Sequence, residues 1–292
     1  MPNNDVNPTM QLRRRYLFRG KLALNTALHI GGGDATLGVT DSPVLRTATG
    51  QPFIPGSSLK GAFRSTVDKL AATLALPRCE LDALDPKFQQ RFNDKRRNTG
   101  SAWDDEQTMR EALADFPVTV QLFGTTFFAS KIFFNDLYLI TDEGLGAAGV
   151  IERRDGVAID RDSERAMDGL KYDFEVVAPS QAFSCEIRLE DPGELDLQLA
   201  CLGVSELANG FISLGGKRSR GLGQCQLQDL AIHTLDLTGN DRSIRLRNYL
   251  TGQNLDAKMP LERDPNAFLQ KHIDALLKDV ERKQAANANG GR

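Results

Sequence analysis

At 292 residues, 40% of them apolar, the chain is long enough to bury a substantial core in one elaborated domain or two small ones, which excludes disorder of the whole. No stretch reaches the roughly 20 uninterrupted apolar residues that span a bilayer, and MPNNDVNPTMQLRRR carries no secretory h-region, so the expectation is a cytoplasmic protein with no membrane partner. The formal charge of −3 argues against a generic nucleic-acid binder, since phosphates require concentrated cations, and the four cysteines (Cys79, Cys185, Cys201, Cys225) form no CxxC pair and read as buried thiols.

In chain order, YLFRGKLALN alternates apolar and polar residues from Tyr16 to Asn25, the period of a strand with one buried face. The glycine-rich loop HIGGGDATLGVTDSPV follows, and PVLRTATGQPFIP then reads as a hairpin around Ala48 to Gln51. In GSSLKGAFRSTVDKLAATLA, Ser57 or Ser58 can cap a helix that places Leu59, Phe63, Val67 and Leu70 on one face. Residues 79–115 are charged and aperiodic and read as a surface insertion. Strand signals resume at VTVQLFGTTFFASKIFFNDLYLI and at YDFEVVAPSQAFSCEIRLE, and the polar segment 152–171 between them reads as an excursion from a sheet. LDLQLACLGVSELANGFISLG has helical spacing at Leu199, Leu202, Leu207 and Phe211. A last strand is expected near Gly223 to Ile232, then a tail with a helix in AFLQKHIDALLKDVERKQ and a frayed end in AANANGGR. Strands divided by two helices, with long excursions, predict an α+β fold on an antiparallel sheet, compatible with a ferredoxin-like core.

Three motifs carry chemistry. GGKRSRGLG sets Lys217, Arg218 and Arg220 among glycines that include Gly215 and Gly216, so backbone amides and cations can crowd one phosphate; the alternative is a tight hairpin with solvated charges. The helix opening at Gly56 offers Ser57, Ser58, Lys60 and Arg64 near a positive dipole end, or else is an ordinary amphipathic helix. Asp34 and Asp41 share the first glycine loop, where a carboxylate can bind a divalent cation or orient a 2′-hydroxyl, although aspartates also form turns. Histidine chemistry is poorly supplied by His29, His233 and His272, and the chain has no GxxxxGK[ST] motif.

LHIGGGDATLGVTDSPVLR, PFIPGSSLKGAFRS and GGKRSRGLGQCQL, in this order, resemble the RAMP superfamily, specifically the Cas7 group of backbone subunits in type III CRISPR effector complexes. The resemblance implies a modified RNA-recognition-motif fold over 16–235, with 236–292 as a C-terminal extension. It implies copies stacked as a filament along a guide CRISPR RNA with other effector subunits, cutting a complementary target RNA at regular intervals. The family's cleavage aspartate precedes Ser-Pro, which matches Asp41 in TDSPV rather than Asp34, with Mg2+ or another divalent cation at Asp41. Ser57, Ser58, Lys60, Arg64, Gly215, Gly216, Lys217, Arg218 and Arg220 become guide contacts, and His29 a residue that stacks on or hydrogen-bonds to RNA or is structural. Segment 152–171, with Ile159 and Met167, resembles a thumb that wedges into the guide–target duplex; a solvated loop fits its composition equally well. Two rivals stay open: a non-catalytic guide-binding subunit, and a CRISPR precursor-RNA processing endonuclease.

Overall fold

Alternation makes the first strand, and the helices close over its apolar face. The computed structural model describes residues 11–32, 40–76, 94, 118–124, 129–141, 150–159 and 166–290, with side chains placed at all of these except 157–159, 166–171 and 287–290. The elements are β1 (Arg14–Leu24), β2 (Phe53–Ile54), α1 (Gly56–Thr73), α2 (Val118–Phe123), β3 (Ile132–Phe134), β4 (Leu137–Tyr138), β5 (Ile151–Ile159), β6 (Ala166–Val177), β7 (Ala182–Glu190), α3 (Glu194–Ala208), β8 (Cys225–Asp236), α4 (Arg242–Thr251), α5 (Leu255–Lys258) and α6 (Pro265–Gly290).

The central sheet has the order β3-β7-β1-β8, and every neighbouring pair is antiparallel. The mixture of helix and antiparallel sheet is the expected α+β fold. Phe18, Leu22, Phe183 and Ile187 point to one face and are buried with Leu59, Phe63 and Val67 of α1 and Leu199, Ala200 and Val204 of α3. Leu59, Phe63, Val67 and Ala71 recur every four residues, so α1 lays a continuous apolar stripe on the sheet. Leu269, Leu276 and Val280 extend this core to α6, which packs on α3. Cys185, Cys201 and Cys225 are buried free thiols, as expected; burial pushes Cys185 and Cys225 up to about 12 and raises Cys201 too, so none is a ready nucleophile.

The opposite face of the sheet is shared between two environments. Leu17, Leu235 and Leu237 bury against Met259, with Leu246, Tyr249 and Leu255 of the C-terminal extension packed around them. Residues 260–262 run along the outer edge of β8, where Thr234 N–H donates to the Pro260 carbonyl (3.0 Å) and Glu262 N–H to that of Ile232 (2.8 Å). Arg19 and Lys21 lie further along the same face, with Ser184 and Glu186 of β7.

Several local expectations change. VTVQLF, read as strand from its alternating apolar positions, forms α2, because burial of Thr119, Val120, Leu122 and Phe123 against α1 and α3 overrides that pattern. Neither Ser57 nor Ser58 caps α1: Pro55 holds the cap position, and the Gly56 N–H donates instead to Asp136 Oδ1 (2.8 Å). Helix α3 stops at Ala208, leaving Phe211 outside it and 70% exposed. Within the excursion 152–171, the described residues of β5 and β6 pair antiparallel from Ile151↔Val177 outward, in keeping with the thumb-like reading rather than with a solvated loop. α4 and α5 were not anticipated in the tail, and α6 continues through Gly290 where a frayed end was expected. The insertion 79–115, apart from Asp94, and residues 160–165 of the thumb-like excursion lie outside the described residues, as do Asp34 and Cys79.

Candidate functional site

The site grows from one short stretch of β6, Tyr172–Asp173–Phe174–Glu175, because strand alternation sends aromatic and acidic side chains to opposite sides. On its acidic side runs the segment that closes the first glycine loop. Gly32 N–H donates to the Pro43 carbonyl (3.2 Å) and Leu45 N–H to that of Ile30 (2.9 Å), so both ends of the loop are tied together. Residue 42 then pairs with Phe174 in a parallel bridge, and the Glu175 N–H donates to the Ser42 carbonyl (3.0 Å).

Asp41 is fastened at two points. Its N–H donates to Asp173 Oδ1 (2.7 Å), and its own Oδ2 accepts the Asp173 N–H (3.0 Å), while residue 41 stays exposed. Asp173 Oδ2 forms an ion pair with Arg153 of β5. Glu175 secures the next residues, taking the Val44 N–H (3.0 Å) and two contacts from Arg46 Nη2 (2.8 and 2.9 Å).

His29 is 8% exposed, and its surroundings fix its tautomer. Nδ1 faces the Glu175 carbonyl oxygen (2.7 Å), which only accepts, so Nδ1 carries the proton; in the neutral ring Nε2 then accepts from Ser42 Oγ (3.3 Å). The ring packs edge-on against Phe174, with centroids 5.7 Å apart. With both nitrogens engaged, His29 braces the loop from inside.

The second glycine-rich segment docks on the aromatic side. Gly216 N–H donates to the His29 carbonyl (2.9 Å) and Gly223 N–H to that of Ala27 (2.8 Å), which hangs the loop on the chain just before the first loop. A Cβ on Gly215 would lie 2.2 Å from the His29 carbonyl oxygen and one on Gly223 1.9 Å from that of Leu214, and both residues have positive φ (+73° and +84°), so only glycine fits. Lys217 is itself left-handed (φ 56°), which aims its ammonium over the stacked Tyr172 and Phe174 rings at 4.8 and 4.4 Å from their centroids. Arg220 donates to the Tyr172 hydroxyl (2.9 Å), and Arg218 is exposed. Among the described residues, none of these three cations pairs with a carboxylate.

The fold therefore brings His29, Asp41, Gly215, Gly216, Lys217 and Arg220 around one strand. Ser57, Ser58, Lys60 and Arg64 belong to α1 and touch other groups. Ser57 is exposed, the Ser58 N–H donates to the Pro55 carbonyl (3.0 Å), Lys60 Nζ donates to Ser130 Oγ (3.1 Å), and Arg64 lies 3.6 Å from Asp68 and over the Phe123 ring. Burial first, then the Arg64 charge, pulls Lys60 below its ordinary pKa.

Sequence reading missed Arg153, Asp173 and Glu175. The one signal was that the polar positions of the alternating strand YDFEV are both acids, which the ordinary pattern of a half-buried strand did not set apart. Among the described residues no three His, Cys, Asp or Glu side chains gather as a metal cage. A lone exposed carboxylate such as Asp41 still suits Mg2+, which keeps several waters and is commonly shared between one or two carboxylates and a substrate phosphate. No helix among the described residues is long and apolar enough to cross a membrane.

A family model described as the RAMP superfamily matches residues 21–226. The chain is 28% identical over 254 residues to the CRISPR system Cms endoribonuclease Csm3 of Streptococcus thermophilus, covering 81% of this chain and 96% of that protein. It is 27% identical over 245 residues to the protein of the same name from Methanocaldococcus jannaschii, covering 76% and 82%. A shorter match to the protein of that name in Enterococcus italicus reaches 51% identity over 53 residues, 17% of this chain and 25% of that one.

Proposed function

The chain belongs to the RAMP superfamily, and from that premise we propose that it is a guide-RNA-binding backbone subunit of a type III CRISPR ribonucleoprotein and cuts complementary target RNA at Asp41. The observation that carries the reading is the meeting of two glycine-rich loops on a single strand: Asp41 is bonded to Asp173, and Lys217 and Arg220 sit on its neighbours Tyr172 and Phe174. A phosphate backbone held by Lys217, Arg218 and Arg220 would run past an aspartate already fixed in place. The strand order β3-β7-β1-β8, with α1 and α3 on one face, supports the ferredoxin-like core of an RNA-recognition-motif relative.

In this reading the loop cations hold the RNA by its phosphates and the β5–β6 hairpin splays a nucleotide. The Asp41 carboxylate orients a 2′-hydroxyl for in-line attack or holds Mg2+ beside it. What a bound Mg2+ supplies is charge stabilisation at the scissile phosphate. The name those relatives carry, an endoribonuclease of a CRISPR system, supports the same chemistry here.

A non-catalytic guide-binding role is favoured by one observation, the two bonds between Asp41 and Asp173, which give the aspartate a structural role of its own. The assembled complex, given complementary RNA and Mg2+, separates the two. Asp41→Ala should lower cutting at this subunit's site on the order of a hundredfold or more, with guide binding intact. Asp41→Asn is the sharper variant, since its amide oxygen still accepts the Asp173 N–H while the negative charge is gone. Loss of cutting in the asparagine variant supports catalysis by the carboxylate; wild-type cutting in both variants rules Asp41 out. Asp34→Ala is the control and should cut normally.

A further inference from the structure

We propose that Asp173 is a positioning residue for the Asp41 carboxylate and that Arg153 fixes Asp173 in turn, so that the β5–β6 hairpin and the cleavage loop move as one unit. The inference rests on the reading of Asp41 given above. The Asp173 side chain is 11% exposed, and its two oxygens are engaged differently, Oδ1 accepting the Asp41 N–H at 2.7 Å and Oδ2 meeting the Arg153 guanidinium. Its backbone N–H returns to Asp41 Oδ2 at 3.0 Å. The two bonds close a ring between residues 41 and 173. The Asp41 carboxylate cannot turn without breaking one of them, and Oδ1 is the oxygen left to address RNA.

Arg153 connects this ring to the hairpin. Within the β5–β6 ladder, Asp155 stands opposite Asp173 and Arg153 opposite Glu175. Directly opposed like charges destabilise a strand pair. By reaching diagonally to Asp173, Arg153 places a countercharge between the acidic positions and ties the register of β5 to the carboxylate that holds Asp41. A shift of the hairpin by RNA is thereby transmitted to the cleavage loop through one ion pair and two hydrogen bonds.

The test uses the assembled complex with guide, complementary RNA and Mg2+, reading single-turnover cutting at this subunit's site beside guide occupancy and target affinity. Asp173→Ala should slow cutting by about tenfold to a hundredfold, the scale at which a misplaced group acts, with both binding readouts unchanged. Arg153→Ala should slow it less, and Arg153→Lys should recover most of the rate by restoring the charge. Asp173→Asn keeps an acceptor for the Asp41 N–H and should fall between wild type and alanine. If the alanine variant does not assemble, the asparagine and Arg153 variants decide. Wild-type cutting in the Asp173 and Arg153 variants overturns the proposal, as does a loss of guide binding in proportion to cutting, which marks a merely structural role. Asp41→Ala, run in parallel, separates the two failures: if it cuts normally the assignment of Asp41 is wrong, whereas if it alone is dead the assignment stands and the positioning role falls.

Discussion

The protein keeps its cations in two contrasting ways. On the open part of the sheet, Arg19 lies 3.2 Å from Glu186 and Lys21 3.0 Å from Asp229, and these pairs line a shallow depression of about 700 Å³. In the second glycine-rich loop, Lys217 rests on aromatic rings, Arg220 on a hydroxyl, and Arg218 on no charged partner among the described residues. A cation matched to a carboxylate offers little field to an incoming phosphate, whereas one held by rings or a hydroxyl keeps its full charge. The formal charge of −3 therefore does not by itself argue against RNA binding, because among the described residues the cations of this loop are matched to no carboxylate.

The most drastic way to break the contrast is to deform the loop that creates it. Gly223→Ala drives a Cβ against the Leu214 carbonyl at a positive φ, and should cost about 3 kcal/mol or more in chemical denaturation, or prevent folding. A wild-type midpoint would show that the loop is not held as described. Replacing Lys217, Arg218 and Arg220 together by alanine should weaken guide binding and lower the magnitude of its salt slope by about 2, at roughly 0.7 per lost single-strand phosphate contact. An unchanged slope would erase the distinction between the two surfaces. The smallest effect belongs to the sheet: Arg19→Ala with Lys21→Ala should leave that slope untouched and shift stability by no more than about 1 kcal/mol, as exposed ion pairs do.

What could be read in advance was whatever a short stretch of chain decides alone. The alternation of β1 and the helical spacing of α1 each express a local rule, and both elements formed where expected, with Ala71 rather than Leu70 closing the buried face of the helix. Failures came where the deciding partner is remote. Asp136 takes the first N–H of α1 from 80 residues away, and Asp173 and Glu175 grip the Asp41 segment across more than 130. VTVQLF became a helix through its surroundings and not its composition. Asp41 was legible as a residue, but the strand that fixes it was not, since nothing in a linear pattern shows that YDFEV returns to lie beside TDSPV. The short helices α4 and α5 hold no fully buried residue, and the partly buried Leu246, Tyr249 and Leu255 make too short an apolar pattern to read in advance.

The run of residues 260–262 along β8 limits how copies of this protein can join. β8 is one border of the central sheet, and a bare border invites a strand from another molecule to continue it. Here the chain's own Pro260 carbonyl and Glu262 amide already occupy that seam beside Ile232 and Thr234. Along residues 232–234 the chain itself takes this seam, so a strand from another molecule cannot continue the sheet there, and a contact at this place is left to side chains, which can slide and release without unzipping a backbone ladder.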